Sequence, residues 1–290
     1  MDATDAAILR ELAWNPEDPR HRGRGYLRPW DVAKKLKLHR NTVVRRLDAL
    51  RATGVYQGTH LYPSPEVSGI RMALYEFAFA SAPAKAAGLH RLRLDPRVQE
   101  IHDFLGDLAW VPIAVAETDS LEKAVEELHR ESGARSLRFL STWDWPRLQG
   151  PVSPLDRRIL EALHEDATRA LSEVAEEVGV TAKTVRLRLK ALQRAHAFTV
   201  LPAVSLARVR GCVAFVLAVA FTPETRAAGH TALLDAFPEA LLVSGPREET
   251  SWLFLTSPDT AGVEACRERA AAIPGATEAR ALLVKALLDC

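Results

Sequence analysis

Two stretches of this chain superimpose without a gap, Asp31 to Leu50 on Glu173 to Leu192. Val32/Val174, Ala33/Ala175, Thr42/Thr184, Val43/Val185, Arg46/Arg188, Leu47/Leu189, Ala49/Ala191 and Leu50/Leu192 are identical pairs. An internal period of roughly 140 residues is too long for a solenoid and fits a duplicated set of domains. In each stretch a short Val-Ala-containing helix is followed by a tight turn and a longer helix studded with Arg and Lys. That is the pattern of a helix-turn-helix DNA reader.

A helix opens each copy. Asp5, Ile8, Leu9 and Leu12 correspond to Asp156, Ile159, Leu160 and Leu163, spaced to bury one face. Thr4 and either Ser153 or Asp156 are expected N-caps. The first copy carries about nine extra residues before its second helix, within Asn15 to Pro29, where Pro and Gly specify a loop. Arg20, Arg22, Arg24 and Arg28 make that loop basic. It reads as a solvated loop or as an arm touching the phosphate backbone or entering a minor groove.

The third helices are expected from about His39 to Thr53 and from about Thr181 to Ala195. Val43, Leu47 and Leu50, with Val185, Leu189 and Leu192, give each a buried stripe. The remaining faces carry the candidate DNA contacts: Arg40, Asn41, Thr42, Arg45 and Arg46, with Lys183, Thr184, Arg186 and Arg188. Arg, Lys and Asn near such a helix's N-terminal end can hydrogen-bond purine edges in the major groove. The two faces differ sharply, which leaves open a site with unlike halves, or one helix on bases and the other on phosphates.

After each third helix a β-prone stretch, Val55 to Leu61 or Phe198 to Val204, is expected to form a wing. Each copy then runs strand (Met72 to Ala80; Val213 to Phe221), helix (Pro83 to Leu94; Pro223 to Phe237), and hairpin (Val98 to Gly106 with Ala109 to Ala116; Ala240 to Gly245 with Thr250 to Thr256). A second helix (Ser120 to Ser132; Thr260 to Ala272) and a final strand (Ser136 to Thr142; about Ala276 to Lys285) complete it. This β-α-β-β-α-β order is the ferredoxin-like arrangement. The expected fold class is α+β, two winged helix-turn-helix domains (1–62 and 151–211) alternating with two ferredoxin-like domains (63–150 and 212–290). Helices cover one face of each sheet, so the other face needs a partner sheet.

The net charge of +1 hides a pattern. The four segments carry about +5, −3, +3 and −4, as expected for DNA-binding modules separated by modules that do not touch DNA. The longest apolar run, Cys212 to Phe221, is about half of what a membrane span needs, and the N-terminus lacks a basic stretch leading into an apolar one. A cytoplasmic protein is expected. Cys212, Cys266 and Cys290 show no metal-ligand spacing and no disulfide framework. No cofactor or metal is expected.

The module order, the Asp5-x-x-Ile8-Leu9 and Asp156-x-x-Ile159-Leu160 matches, and the Arg46-Leu47-x-x-Leu50 and Arg188-Leu189-x-x-Leu192 endings resemble the Lrp/AsnC, or feast/famine, family of transcriptional regulators. Here the family's unit, a winged helix-turn-helix plus the ferredoxin-like RAM domain, occurs twice over nearly the whole chain. The resemblance implies double-stranded DNA as partner, no enzymatic activity, and self-association through the ferredoxin-like domains, the chain being a covalent pseudo-dimer. It also implies a small effector, often an amino acid in that family, bound near the sheet-domain hairpin at a Gly with a nearby Asp. Gly106 and Asp107 match, whereas Gly245 is followed by Pro246 and lacks the Asp. Gly and Asp are equally the residues a plain hairpin turn favours.

Two other classes compete. One branch of the same architecture is sirohaem decarboxylase, for which His60, Tyr62, Arg71 and Tyr75 are the candidates; the second copy offers Pro202, Arg208 and Arg210 without His or Tyr. The other is a ligand- or protein-binding module that has lost DNA binding. No P-loop, GxGxxG, GxSxG or CxxC pattern is present, and the nine histidines form no paired motif.

Overall fold

A computed structural model describes residues 1–15, 18–21, 25–26, 28–142, 147–243 and 250–289. The first half runs α1 (Ala3–Leu12), α2 (Pro29–Lys35), α3 (Arg40–Ala52), β1 (Tyr56–Pro63), α4 (Pro65–Ser68), β2 (Ile70–Ala78), α5 (Ala82–Leu92), β3 (Glu100–Phe104), β4 (Leu108–Ala116), α6 (Leu121–Ser132) and β5 (Ser136–Thr142). The second runs α7 (Pro154–Ala162), α8 (Leu171–Val178), α9 (Ala182–Arg194), β6 (Phe198–Val204), β7 (Val213–Phe221), α10 (Arg226–Ala236), β8 (Thr250–Ser257), α11 (Thr260–Ala271) and β9 (Ala276–Asp289). By contacts the chain divides into two units, one of residues 1–68 and 145–208, the other of 69–144 and 209–290. Segments of like kind therefore associate across the chain.

In the helix unit, α1 to α3 bury Ile8, Leu9, Leu12, Val32, Ala33, Val43, Leu47 and Leu50, the stripe that the period dictates. The second core uses Ile159, Leu160, Val174, Ala175, Val185, Leu189 and Leu192, and draws in Trp14 and Leu61 from the first half. Asp2, not Thr4, caps α1; its carboxylate accepts the N–H groups of Thr4 and Asp5 while Asp5 accepts the Asp2 N–H. Thr4 sits inside the helix, where its own N–H needs the cap. Ser153 caps α7 in the same reciprocal way with Asp156.

The β-prone stretches are strands, but they do not form local wings. β1 and β6 pair with each other, antiparallel, with Thr59 opposite Pro202 and His60 opposite Leu201. Trp14 adds a bridge on the far side of β6, exchanging both backbone hydrogen bonds with Val200, and its ring tilts against Phe198 at 5.4 Å. Each lone strand thus satisfies its edge on the other half, as buried backbone groups require.

The sheet unit has seven strands in the order β5-β2-β4-β3-β9-β7-β8. The first half shows the ferredoxin-like order, with α5 and α6 covering Phe77, Phe79, Ala109, Val111 and Ile113. In the second half the described part of the expected strand Ala240 to Gly245 makes an isolated bridge between Val243 and Leu253; residues 244–249 lie outside the described ones. β9 extends to Asp289, pairing with β7 through Leu283 and with β3 from Val284 onward. The sheet also curls on itself. Four strand steps separate β4 from β8, roughly 19 Å in a flat sheet, yet the Trp110 and Trp252 rings meet at 6.5 Å. On the open face expected to need a partner sheet, Trp110 and Glu76 of the first half meet Trp252 and Arg280 of the second.

Candidate nucleic-acid interface

α3 and α9 present the residues singled out from the sequence. His39 caps α3 by accepting the Asn41 N–H at its Nδ1 atom, 3.3 Å away, and Thr181 caps α9 by accepting the Thr184 N–H at 3.1 Å. Beyond the caps, Arg40, Asn41, Val44 and Arg45 are exposed on α3, and Lys183, Arg186, Leu187 and Lys190 on α9. Arg45, Lys183 and Arg186 make no ion pair among the described residues. Arg40 lies over the ring of Trp30, 4.7 Å from its centroid, a cation–π contact that holds the guanidinium above α2. Trp30 is itself 53% exposed. Its position, one residue after the Pro that opens a helix, offered no sign of this in the sequence.

Arg46 and Arg188, expected as DNA contacts, are engaged by the protein's own carboxylates. Arg46 donates to Asp2 and to Asp5, each at 2.8 Å. Arg188 donates to both carboxylate oxygens of Asp156, 2.7 Å from Nε, and to the Ser153 hydroxyl at 3.2 Å. These arginines fasten the third helix of each half to the start of the first. Burial would raise the Asp156 carboxyl, but the Arg188 guanidinium and the Ser153 hydroxyl and N–H outweigh it and hold the group below its ordinary value. Asp2 is lowered in turn by hydrogen bonding to Arg46. Thr42 and Thr184 are half-buried, and Thr184 Oγ1 lies 3.0 Å from Thr181 Oγ1, within the cap.

Arg20 pairs with the buried Asp18 at 2.8 Å in the loop between α1 and α2, so it serves that loop's own structure. Arg28 stands at the N-cap of α2, and its N–H donates to Asp31. Arg22 and Arg24 lie outside the described residues.

Gly106 occupies the β3–β4 turn with φ +88°, a left-handed conformation that favours glycine. Its carbonyl accepts from the buried Lys85 Nζ at 3.2 Å, and Lys85 also pairs with Asp103 at 2.6 Å. Asp107 faces Arg135 at 3.6 Å, both well exposed. The turn is thus anchored from beneath, while its Asp is on the surface. Gly245 lies outside the described residues.

The enzyme candidates fall in different units. His60 and Tyr62 stand on β1 in the helix unit, with the Tyr62 ring 6.2 Å from His60 and 6.1 Å from His164. His164 donates from Nδ1 to the Leu61 carbonyl at 2.8 Å. Glu165 lies 3.9 Å from His60 and 3.8 Å from His164. Arg71 and Tyr75 belong to the sheet unit, where Arg71 donates to the Asp119 carbonyl and Tyr75 packs edge-on against Phe139. Of the second copy's residues, Arg208 packs against Gly54. Cys212 and Cys266 are free thiols, and no group of three metal-ligating side chains occurs among the described residues.

Residues 153–193 match the AsnC-type helix-turn-helix domain. Two solved structures of the siroheme decarboxylase NirDL share the fold across the whole chain. One, in complex with an iron-uroporphyrin III analogue, is 12% identical over 99% of this chain and 92% of that one, at a TM-score of 0.56. The other is 14% identical with the same coverage, at 0.57. Escherichia coli AsnC aligns over 52% of this chain and 97% of its own, at 18% identity and a TM-score of 0.34. No curated protein sequence matches the chain. The fold and the matched segment define an α+β protein carrying an AsnC-type helix-turn-helix. No helix among the described residues is long and apolar enough to cross a membrane.

Proposed function

We propose that the chain is a cytoplasmic, sequence-specific DNA-binding transcriptional regulator built from two fused Lrp/AsnC-type units, each a helix-turn-helix followed by a ferredoxin-like RAM domain. One observation carries this reading. On both third helices the architectural arginines, Arg46 and Arg188, are engaged by the protein's own carboxylates, while further cations stand beside them on the exposed N-terminal half. Arg40, Asn41, Arg45, Lys183 and Arg186 are the contacts to bases and phosphates, and Thr42 and Thr184 are at most backbone contacts beside the caps. Gly106 and Asp107 form the effector-facing turn in this reading, and the sheet unit is the self-association surface.

The test is a titration of the full chain against DNA fragments from its own genome, including the region upstream of its own gene, at two salt concentrations. Selective binding that weakens with salt is expected. Arg45→Ala and Arg186→Ala should each weaken it, by about 1 kcal/mol for a lost base or phosphate contact, and a lost phosphate contact lowers the salt slope by about one. Binding that is absent, or equal on all DNA, overturns the proposal.

A second reading, an enzyme acting on an iron tetrapyrrole, is favoured by the NirDL likeness along the full chain. Its residues on the helix unit would be His60 and Tyr62, beside His164. Titration with sirohaem, followed by absorption spectra and by mass spectrometry for loss of carbon dioxide, separates the two. Turnover would replace the regulator reading.

A further inference from the structure

We infer that the chain reads a DNA site with two different halves, one per third helix, so that it binds in a single orientation; this rests on the DNA-binding reading above. Laid over each other, α3 and α9 are identical where they are buried: Val43/Val185, Leu47/Leu189 and Leu50/Leu192. They are also identical at the half-buried architectural pairs Thr42/Thr184 and Arg46/Arg188. The outward pairs differ instead, Asn41/Lys183, Val44/Arg186, Arg45/Leu187 and Asp48/Lys190, with only Ala49/Ala191 shared, and the exposed Arg40 corresponds to the half-buried Ala182.

These changes alter base preference, not merely charge. Arg and Asn suit guanine and adenine respectively, and an aliphatic side chain suits the thymine methyl. α3 offers Arg40, Asn41 and Arg45 around Val44, with Trp30 beneath Arg40. α9 shifts the cations to Lys183, Arg186 and Lys190 and puts an aliphatic chain, Leu187 at 57% exposure, where α3 has Arg45. The same hydrogen-bonding pattern in the groove therefore cannot satisfy both helices.

The backbone nevertheless keeps the inverted geometry of a two-fold pair. Pro202 corresponds to His60 and Leu201 to Thr59, and the register sets Thr59 against Pro202 and His60 against Leu201. A local pseudo-two-fold passes between those pairs. Two identical subunits related by a two-fold must present identical patches and so favour a palindrome. Fusing both helices into one chain removes that restriction, and the exposed positions have used the freedom.

The experiment is selection from a randomised duplex library with the full chain, compared with Arg40→Ala/Arg45→Ala and Lys183→Ala/Arg186→Ala. All four residues are outside the buried core, and a melting curve checks that each variant folds. Two unlike enriched blocks are expected, each erased by one variant and left by the other. Replacing one block with an inverted copy of its partner should weaken binding about tenfold or more. A palindromic motif, or a single block insensitive to one variant, overturns the inference and leaves the DNA-binding reading standing. No enrichment over the starting library overturns both.

Discussion

The helix unit and the sheet unit treat their two halves in opposite ways. In the helix unit the halves share interior residues and diverge on the surface. In the sheet unit they diverge inside, because each half supplies what the other lacks. Glu76, on β2, accepts from Trp110 Nε1 at 3.0 Å within its own half, and from Arg280 Nη2 of the other half at 2.9 Å. Arg138 approaches the same carboxylate at 3.0 Å and reaches Glu278 at 3.4 Å. Glu76 is 6% exposed, so its charge is tolerable only with these partners. Divergence in the sheet unit is consumed in mating the halves, whereas in the helix unit it is left facing outward.

The largest effect expected from this contrast is at Glu76. Glu76→Ala removes the acceptor of the Trp110 indole N–H and of the Arg280 guanidinium, and the ion-pair partner of Arg138, and should cost about 3 kcal/mol. Urea unfolding of the full chain measures it. Because Arg138 and Arg280 also have Glu278 to turn to, a loss below about 1 kcal/mol would show that Glu278 takes over and that Glu76 is not what joins the halves.

A smaller difference is expected between the two first helices. Asp156 is 1% exposed as a side chain and, among the described residues, is the one carboxylate on Arg188, whereas Arg46 has both Asp2 and Asp5. Asp156→Ala should therefore cost about 2 kcal/mol and Asp5→Ala about 1 kcal/mol or less. The pH dependence has a definite sign. A carboxyl held below its ordinary value of 3.8 stabilises the fold above that value and loses the contribution as pH falls through the lowered one. Acid titration of stability should thus flatten at its low-pH end in Asp156→Asn. An unchanged profile would mean the pair contributes nothing to folding.

What could be read in the sequence were properties carried by local spacing. Third helices expected at about His39 to Thr53 and Thr181 to Ala195 are observed with those four residues as their caps. β5 and β7 fall on their expected limits. What escaped were partners distant along the chain. Alternation marks a strand but not its mate, so the sequence suggests separate wings where β1 and β6 pair with each other. Arg46 and Arg188 look like any exposed helical cation until Asp5 and Asp156 are placed beside them in space. That signal was present, since the same Asp and Arg recur together in both halves, but it takes the packing of first helix on third to join them. Trp14 sits in a loop by sequence and becomes part of a core because β6 offers it a backbone edge.

The smallest effect lies in the turn between the second and third helices. Both halves need a left-handed residue there. The second half has Gly179, at φ +73°, and the first has Lys37, at φ +55°. A side chain in that region costs roughly 1 kcal/mol, while glycine costs roughly 0.5–1 kcal/mol more conformational entropy on folding. The two nearly cancel, so Lys37→Gly should raise stability by only a few tenths of a kcal/mol. In the reverse direction, a Cβ at Gly179 meets no atom within 4 Å, so Gly179→Ala feels backbone strain alone. That change should lower stability by about 0.5 kcal/mol. Thermal melting of the two variants beside the parent chain measures both, and shifts of the same sign would show that the turns are not held alike. If the signs are opposite, as expected, the halves share the turn geometry even where the residue that makes it easy has been replaced.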